Sequence, residues 1–259
     1  MPPVTFDNPR GRRLVADYTP AVGGTAHGDV PLIILAHGFG SERLARGRFP
    51  AMARAFAGAG HAALAFDFAG CGESDDDILT LEHQLEDLCT AIAYGQSLGH
   101  ERIGLVGHSL GGRVCLQAAP PEATTIVAIG APTGPVDYDW HDYFSAEQMD
   151  ELECTGRVTI PQAADRSRPM VVSSRELLEE LRGCDQVALF GGVPYPVLLV
   201  FGDGDWEERQ YLELGRRGLP LLPAGSRLEL VPGSPHNLQG HLDEVIALVL
   251  DWFTERLPA

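Results

Sequence analysis

Lysine is absent from this chain of 259 residues. All 19 basic side chains are arginine, set against 36 aspartates and glutamates, for a net charge of −17. A surface this acidic repels phosphate backbones and anionic bilayers, which excludes nucleic acid and membrane as partners. With abundant alanine and glycine, the missing lysine reads as coding bias and the acidity as a solubility or salt adaptation. Acidic substrates are disfavoured by the overall field, although a site has its own local field. Cysteine is sparse: Cys71, Cys89, Cys115, Cys154 and Cys184 are odd in number and scattered. They have neither metal-ligand spacing nor a disulfide framework, so reduced thiols in a cytoplasm are expected, with no metal. Long apolar runs are missing too. Pro31–Ala36 and Pro196–Phe201 are strand-sized, far short of the ~20 residues that span a bilayer. The opening Met1-Pro2-Pro3-Val4-Thr5-Phe6-Asp7 has neither the basic flank nor the apolar run of a signal peptide.

The composition that remains is ordinary for a globular protein, with 44% hydrophobic and 7% aromatic residues. The most informative segment is Gly107-His108-Ser109-Leu110-Gly111-Gly112. The apolar run Ile103–Val106 precedes it and the helix-compatible Arg113–Ala119 follows. In that strand–turn–helix setting a G-x-S-x-G pentapeptide forms a nucleophile elbow. Gly107 and Gly111 carry no Cβ to clash in so sharp a turn. The turn exposes the Ser109 hydroxyl, while the helix start aims backbone N–H groups at an oxyanion forming beside it. Cys115, six residues after Ser109, reads as packing beneath the elbow helix.

Strand-like runs alternate with helical patterns along the chain: Leu32–Leu35, then a helix over Pro50–Ala59; Ala62–Phe66, then Leu79–Leu98. Thr124–Ile129, Val197–Phe201 and Leu228–Val231 add strands, and a last helix is expected over Leu238–Phe253. Short apolar strands separated by helices predict an α/β fold with a mostly parallel sheet covered on both faces. Val4–Phe6 and Arg12–Tyr18 could add an antiparallel pair. The middle breaks the alternation, with an aromatic group (Tyr138, Trp140, Tyr143, Phe144), helical patches at Ala146–Leu152 and Ser174–Leu181, and a capping-box pattern at Ser145/Gln148. So long an excursion is uncommon as plain loop. It divides the chain into a core of residues 1–132 and 191–259 and a cap of residues 133–190. The cap aromatics either line a substrate pocket or form the cap's own core. Tyr138, Trp140, Tyr143 and, outside the cap, Trp206 are the substrate-binding candidates.

A serine hydroxyl needs a general base and a group that holds the base. Among nine histidines, His236 lies in a loop after the last strand, at the carboxyl edge of the sheet where the elbow also emerges. His241 is its rival. His61, His83 and His100 read as surface positions, and His108 as packing. The acid should also follow a strand, and Gly202-Asp203-Gly204-Asp205-Trp206 offers two carboxylates between which spacing alone does not choose. The order Ser…Asp…His fits elbow enzymes. Oxyanion donors are expected from the backbone N–H groups of Leu110 and of Phe39 in His37-Gly38-Phe39-Gly40. No Lys-Ser/Thr follows those glycines, which excludes a phosphate loop. Arg43, Arg46 and Arg48, just beyond, read as a solvated face, with a substrate carboxylate as the alternative occupant.

With these pieces and Phe66-Asp67-Phe68-Ala69-Gly70-Cys71-Gly72-Glu73-Ser74, the chain resembles the α/β-hydrolase superfamily over essentially its whole length. The resemblance implies the α/β-hydrolase fold with an inserted cap, selects Asp205 over Asp203 as the acid, and makes Asp67 a scaffold residue. The capped feruloyl and cinnamoyl esterase-like carboxylesterases are similar in size and cap position. The expectation is therefore a serine carboxylesterase with catalytic Ser109, Asp205 and His236, no cofactor, and a small-molecule ester or acyl substrate. Thioester, amide or acyl-transfer chemistry on the same residues is the alternative, and a non-catalytic binding protein a further one. A serine at the nucleophile position disfavours dehalogenase chemistry.

Overall fold

A strand that is apolar at every position must be covered on both faces, and Leu32–Ala36 is such a strand. Leu32, Ile34 and Ala36 enter one hydrophobic cluster while Ile33 and Leu35 enter another. That alternation is the two-residue period of an extended chain set between two helical layers. In the computed structural model, which describes residues 2–23 and 30–259, the same division runs through the sheet. In Val197–Gly202, Val197, Leu199 and Phe201 face one layer, and Leu198 and Val200 the other.

In chain order the strands are β1 (Val4–Asp7), β2 (Arg13–Thr19), β3 (Leu32–Ala36), β4 (Ala62–Phe66), β5 (Ile78–Leu79), β6 (Ile103–His108), β7 (Ala123–Ile129), β8 (Arg157–Pro161), β9 (Met170–Ser174), β10 (Val197–Gly202) and β11 (Arg227–Val231). The main sheet has eight strands in the order β1-β2-β4-β3-β6-β7-β10-β11. It is parallel from β4 to β11, and the β1/β2 and β2/β4 pairs are antiparallel. The helices are α1 (Arg48–Gly58), α2 (Leu81–Ser97), α3 (Leu110–Ala118), α4 (Ala146–Thr155), α5 (Arg175–Arg182), α6 (Gln186–Gly191), α7 (Trp206–Gly218) and α8 (Leu242–Arg256). Helices α1 and α8 cover one face of the sheet; α2, α3 and α7 cover the other. No helix among the described residues is long and apolar enough to cross a membrane.

Three differences from the sequence reading stand out. The final helix begins at Leu242 rather than Leu238, because Leu238 adopts φ +60° in a turn and His241 becomes the residue before the helix. Residues 133–190 hold a hairpin, β8 antiparallel to β9, as well as helices. Strand β5 pairs with β9, so the small sheet is shared with the core segment. Helix α7 was not expected at all. Its signature was present, since Asp205 accepts the Glu208 N–H at 2.9 Å as an N-cap. Buried Glu208, Tyr211, Leu212 and Gly215 follow at the i, i+3, i+4, i+7 spacing of a helix face.

Phe253, fully buried on α8, meets Phe56 of α1 edge-to-face at 5.8 Å and ties both helices to the sheet. Phe253→Ala should lower the unfolding free energy by ~3–5 kcal/mol, read as a lower denaturant midpoint at unchanged slope. A loss under ~1 kcal/mol would mean that this helical layer is not an integral part of the core.

Candidate active site

Parallel register brings the ends of several strands to one edge. Ala36 of β3 lies opposite Gly107 of β6, His108 opposite Ile129 of β7, Val200 of β10 opposite Ile129, and Gly202 opposite Val231 of β11. The segments that follow these strands therefore meet. Ser109 comes directly after β6 with φ +55° and ψ −124°, a backbone conformation that L residues rarely adopt. Its own N–H is tied to the Ile129 carbonyl at 2.8 Å, which helps to hold the turn. A Cβ on Gly111 would lie 2.1 Å from the Ala36 carbonyl oxygen, so the elbow helix can sit against β3 only with glycine there.

Ser109 Oγ lies 3.0 Å from His236 Nε2, and His236 Nδ1 lies 2.6 Å from Glu208 Oε1. The carboxylate next to Nδ1 makes Nδ1–H the donor, leaving Nε2 to accept the serine hydroxyl. Glu208 is 1% exposed, and its second oxygen accepts the Gly202 N–H at 2.6 Å. Side chains in the first turn of a helix lean toward its N-terminus, so Glu208 reaches back across the end of β10. The space is exact for it: a Cβ on Gly130, at φ +54°, would stand 2.5 Å from Glu208 Oε1 and 3.0 Å from His236 Nδ1.

This geometry corrects the assignment of Asp205. Its Oδ1 caps α7 at the Glu208 N–H, and its Oδ2 accepts the backbone N–H of His236 at 2.7 Å. Both oxygens are thus engaged by backbone N–H groups, and the imidazole hydrogen bond belongs to Glu208. Asp203 similarly holds the histidine loop, accepting the Gly233 N–H at 2.6 Å. His241 faces Glu244 at 3.7 Å and takes no part. Glu208 was missed as the imidazole's partner because α7 was missed: Asp205 with Glu208 forms a D-x-x-E helix start, and a glutamate buried on the inner face was the available clue.

Burial works to lower the His236 pKa, but the hydrogen bond it donates to Glu208 and the charges of Glu207, Glu208 and Asp205 outweigh it and raise it above the usual imidazole value. His108, buried beside it, is shifted the other way, well below that value, by burial, His236 and Arg48. Kept neutral, His108 donates Nε2–H to the His236 carbonyl at 2.9 Å and so fixes the loop. His37, also lowered by burial, accepts the Phe68 N–H at 3.2 Å and donates from Nδ1 to the Gly38 carbonyl at 2.9 Å. It thereby orients the loop bearing Gly38 and Phe39 next to Ser109. Leu110 opens α3, where a backbone N–H has no acceptor within its own helix. Asp67 is fully buried and accepts the Arg43 N–H at 2.6 Å, the Arg43 guanidinium at 2.5 Å and the Glu73 N–H at 2.9 Å.

A cavity of about 640 Å³ opens onto Ser109 and His236, between the loop after β3, the loop after β11 and Arg166 of the β8–β9 connection. The aromatic candidates do not line it. Tyr138 is buried, with its hydroxyl 2.5 Å from that of Tyr211. Trp140 stacks between Tyr138 and Phe144, and Tyr143 packs edge-on against both Tyr138 and Trp140. Tyr138 thus joins the main core, Trp140 packs between it and the inserted segment's own cluster around Phe144, and Tyr143 stays 45% exposed. Trp206 is 46% exposed and borders a separate depression with Arg209 and Gln210. The α7 side chain that does back the imidazole is Tyr211, whose ring meets His236 edge-on at 5.6 Å.

A family model described as the alpha/beta hydrolase family matches residues 33–248. The chain is 39% identical over 95 residues to the quorum-quenching protein AidA of Acinetobacter baumannii, covering 34% of this chain and 31% of that protein. It is 35% identical over 97 residues to the putative carbamate hydrolase RutD of Pseudomonas savastanoi pv. phaseolicola, covering 36% and 34%. The matched stretch thus spans about a third of the length of these curated relatives. Among solved structures, Est1E from Butyrivibrio proteoclasticus with bound ferulic acid superposes with a TM-score of 0.75 at 21% identity, over 99% of this chain and 100% of that one. At that identity the likeness is one of fold.

In an NMR titration of the His236 ring, Glu208→Gln should lower the midpoint, since burial then acts with less opposition to disfavour the imidazolium. Asp205→Asn removes a weaker influence and should lower it less. A larger fall in Asp205→Asn would contradict the pairing described here.

Proposed function

The chain belongs to the α/β hydrolase family, and from that premise we propose that it is a serine carboxylesterase acting through Ser109, His236 and Glu208. The observation that carries this reading is the line of hydrogen bonds from Ser109 Oγ through His236 to Glu208, 3.0 Å and 2.6 Å long, on a serine held at positive φ. A hydroxyl so placed can pass its proton to Nε2 as Oγ attacks a carbonyl carbon. The resulting imidazolium is stabilised by the buried Glu208 carboxylate hydrogen-bonded to its Nδ1. The oxyanion receives the backbone N–H groups of Leu110 and Phe39, each such donor being worth ~3 kcal/mol in the transition state. The imidazolium then gives its proton to the leaving alkoxide, the C–O bond breaks, and the acyl group remains on Ser109. A water molecule, deprotonated by the same imidazole, attacks the acyl carbonyl. Collapse releases the carboxylic acid and restores the serine hydroxyl.

The substrate is a small-molecule ester, for which the cavity of about 640 Å³ at Ser109 is of suitable size. The five free cysteines agree with a reducing, cytoplasmic setting.

A fluorophosphonate probe should label the wild-type protein and not Ser109→Ala, and hydrolysis of p-nitrophenyl acetate should fall by roughly 10⁴–10⁶-fold in that variant. Equal labelling of the two proteins, or undiminished hydrolysis in the variant, would refute the assignment of the nucleophile. Since His236 must be neutral to act as a base and its pKa is raised, the acid limb of kcat/KM should lie at higher pH than free imidazole would place it.

A further inference from the structure

On a chain with a net charge of −17, the cavity at Ser109 carries the opposite sign. Its charged lining is Arg46, Arg48 and Arg166 against one carboxylate, Glu207. That carboxylate is already bound by the Tyr211 hydroxyl at 2.7 Å. Two of the guanidiniums have distant partners: Arg46 lies 3.9 Å from the exposed Asp165, and Arg166 lies 3.6 Å from Glu42. Arg48 has none. Among the described residues no carboxylate comes within ion-pair distance of it, and its guanidinium bonds the carbonyls of Ala45 at 2.9 Å and Asn237 at 2.8 Å. Burial, with Arg166 and Arg46 nearby, pulls its pKa down to about 10, so at neutral pH it still holds a half-buried charge without a counter-ion. Such a charge is unfavourable until an anion meets it.

Arg43 differs in just this respect. It is buried and tied to Asp67, Asp17 and Glu73, so it supports the fold and does not face the cavity. Of the three arginines after the β3 loop, then, two point to where a substrate would lie. A guanidinium matches a carboxylate with directed, charge-assisted hydrogen bonds, which makes it a selective reader of that group.

We propose that the substrate is an ester that carries a carboxylate, recognised by Arg48 with Arg46 and Arg166. The proposal rests on the esterase reading of the same cavity. The carboxylate can sit on the acyl part or on the alcohol part, and either places a negative charge beside Ser109. Arg48 also grips the carbonyl of Asn237, the residue after His236, so binding the anion and positioning the base involve the same side chain.

The test compares matched pairs of esters: mono-p-nitrophenyl adipate with p-nitrophenyl hexanoate for the acyl side, and 4-acetoxybenzoate with its methyl ester for the alcohol side. In the wild-type protein kcat/KM should favour the anionic member of at least one pair by about tenfold or more, and 0.5 M salt should reduce that preference. The ratio within the pair should fall by about tenfold in Arg48→Gln and to a lesser degree in Arg166→Gln. Because it is a ratio, any loss common to both esters cancels. The pair that shows the preference identifies the side that bears the carboxylate. Hydrolysis of the neutral esters without an anionic preference in either pair would overturn this inference and leave the esterase reading standing. Failure to hydrolyse any of the four, with no fluorophosphonate labelling, would remove both. Should the variants fold poorly, the wild-type ratio and its salt dependence still decide.

Discussion

One buried carboxylate fixes the geometry of this site. Glu208 is held by the Gly202 N–H at 2.6 Å and turned by α7 so that its other oxygen meets His236 Nδ1 at 2.6 Å. A charge so deeply placed is tolerated only when fully hydrogen-bonded, and here both oxygens are. The pairing selects the imidazole tautomer, and with it the nitrogen that faces Ser109. It also sets requirements elsewhere, since Gly130 must lack a Cβ and α7 must begin at Asp205 for Glu208 to reach. Asp203, Asp205 and His108 then hold the backbone of the histidine loop from three directions, so His236 is fixed through its main chain as well as its ring.

Much of the fold could be read from the chain because its core strands are short, almost wholly apolar and separated by amphipathic helices. β3, β4, β6 and β10 are such segments, buried throughout. The cap hairpin was harder. Arg157–Pro161 and Met170–Ser174 are partly exposed, and β9 finds a further partner in Ile78–Leu79, far away in sequence. Long-range pairing of weakly patterned segments leaves little trace in local sequence.

The site divides in the same way. Ser109 and His236 were legible because a strained elbow and a loop after the last strand are local features. The carboxylate that meets the imidazole was not, because Asp205 occupies the expected place in sequence while the imidazole is met one helical turn later. Only three-dimensional placement separates a carboxylate that binds backbone from one that binds the ring. Of the two roles the sequence left open to the aromatic residues of the inserted segment, packing holds for Tyr138 and Trp140, as is usual for large rings, while Tyr143 is exposed away from the serine's cavity. For Arg46 and Arg48 the sequence left a solvated face and a substrate carboxylate both open, and only the fold shows that the two line the one concavity that reaches the serine among the cavities described.

The most direct measurement of the central claim is the steady-state rate of p-nitrophenyl acetate hydrolysis by Glu208→Gln and Asp205→Asn side by side, with folding checked by circular dichroism. If Glu208 orients and neutralises the imidazolium, its glutamine variant should lose roughly 10⁴-fold in kcat. Asp205→Asn, which weakens a helix cap and a loop hydrogen bond, should lose far less. A collapse of activity in Asp205→Asn with Glu208→Gln near wild type would return the role to the aspartate and contradict the account.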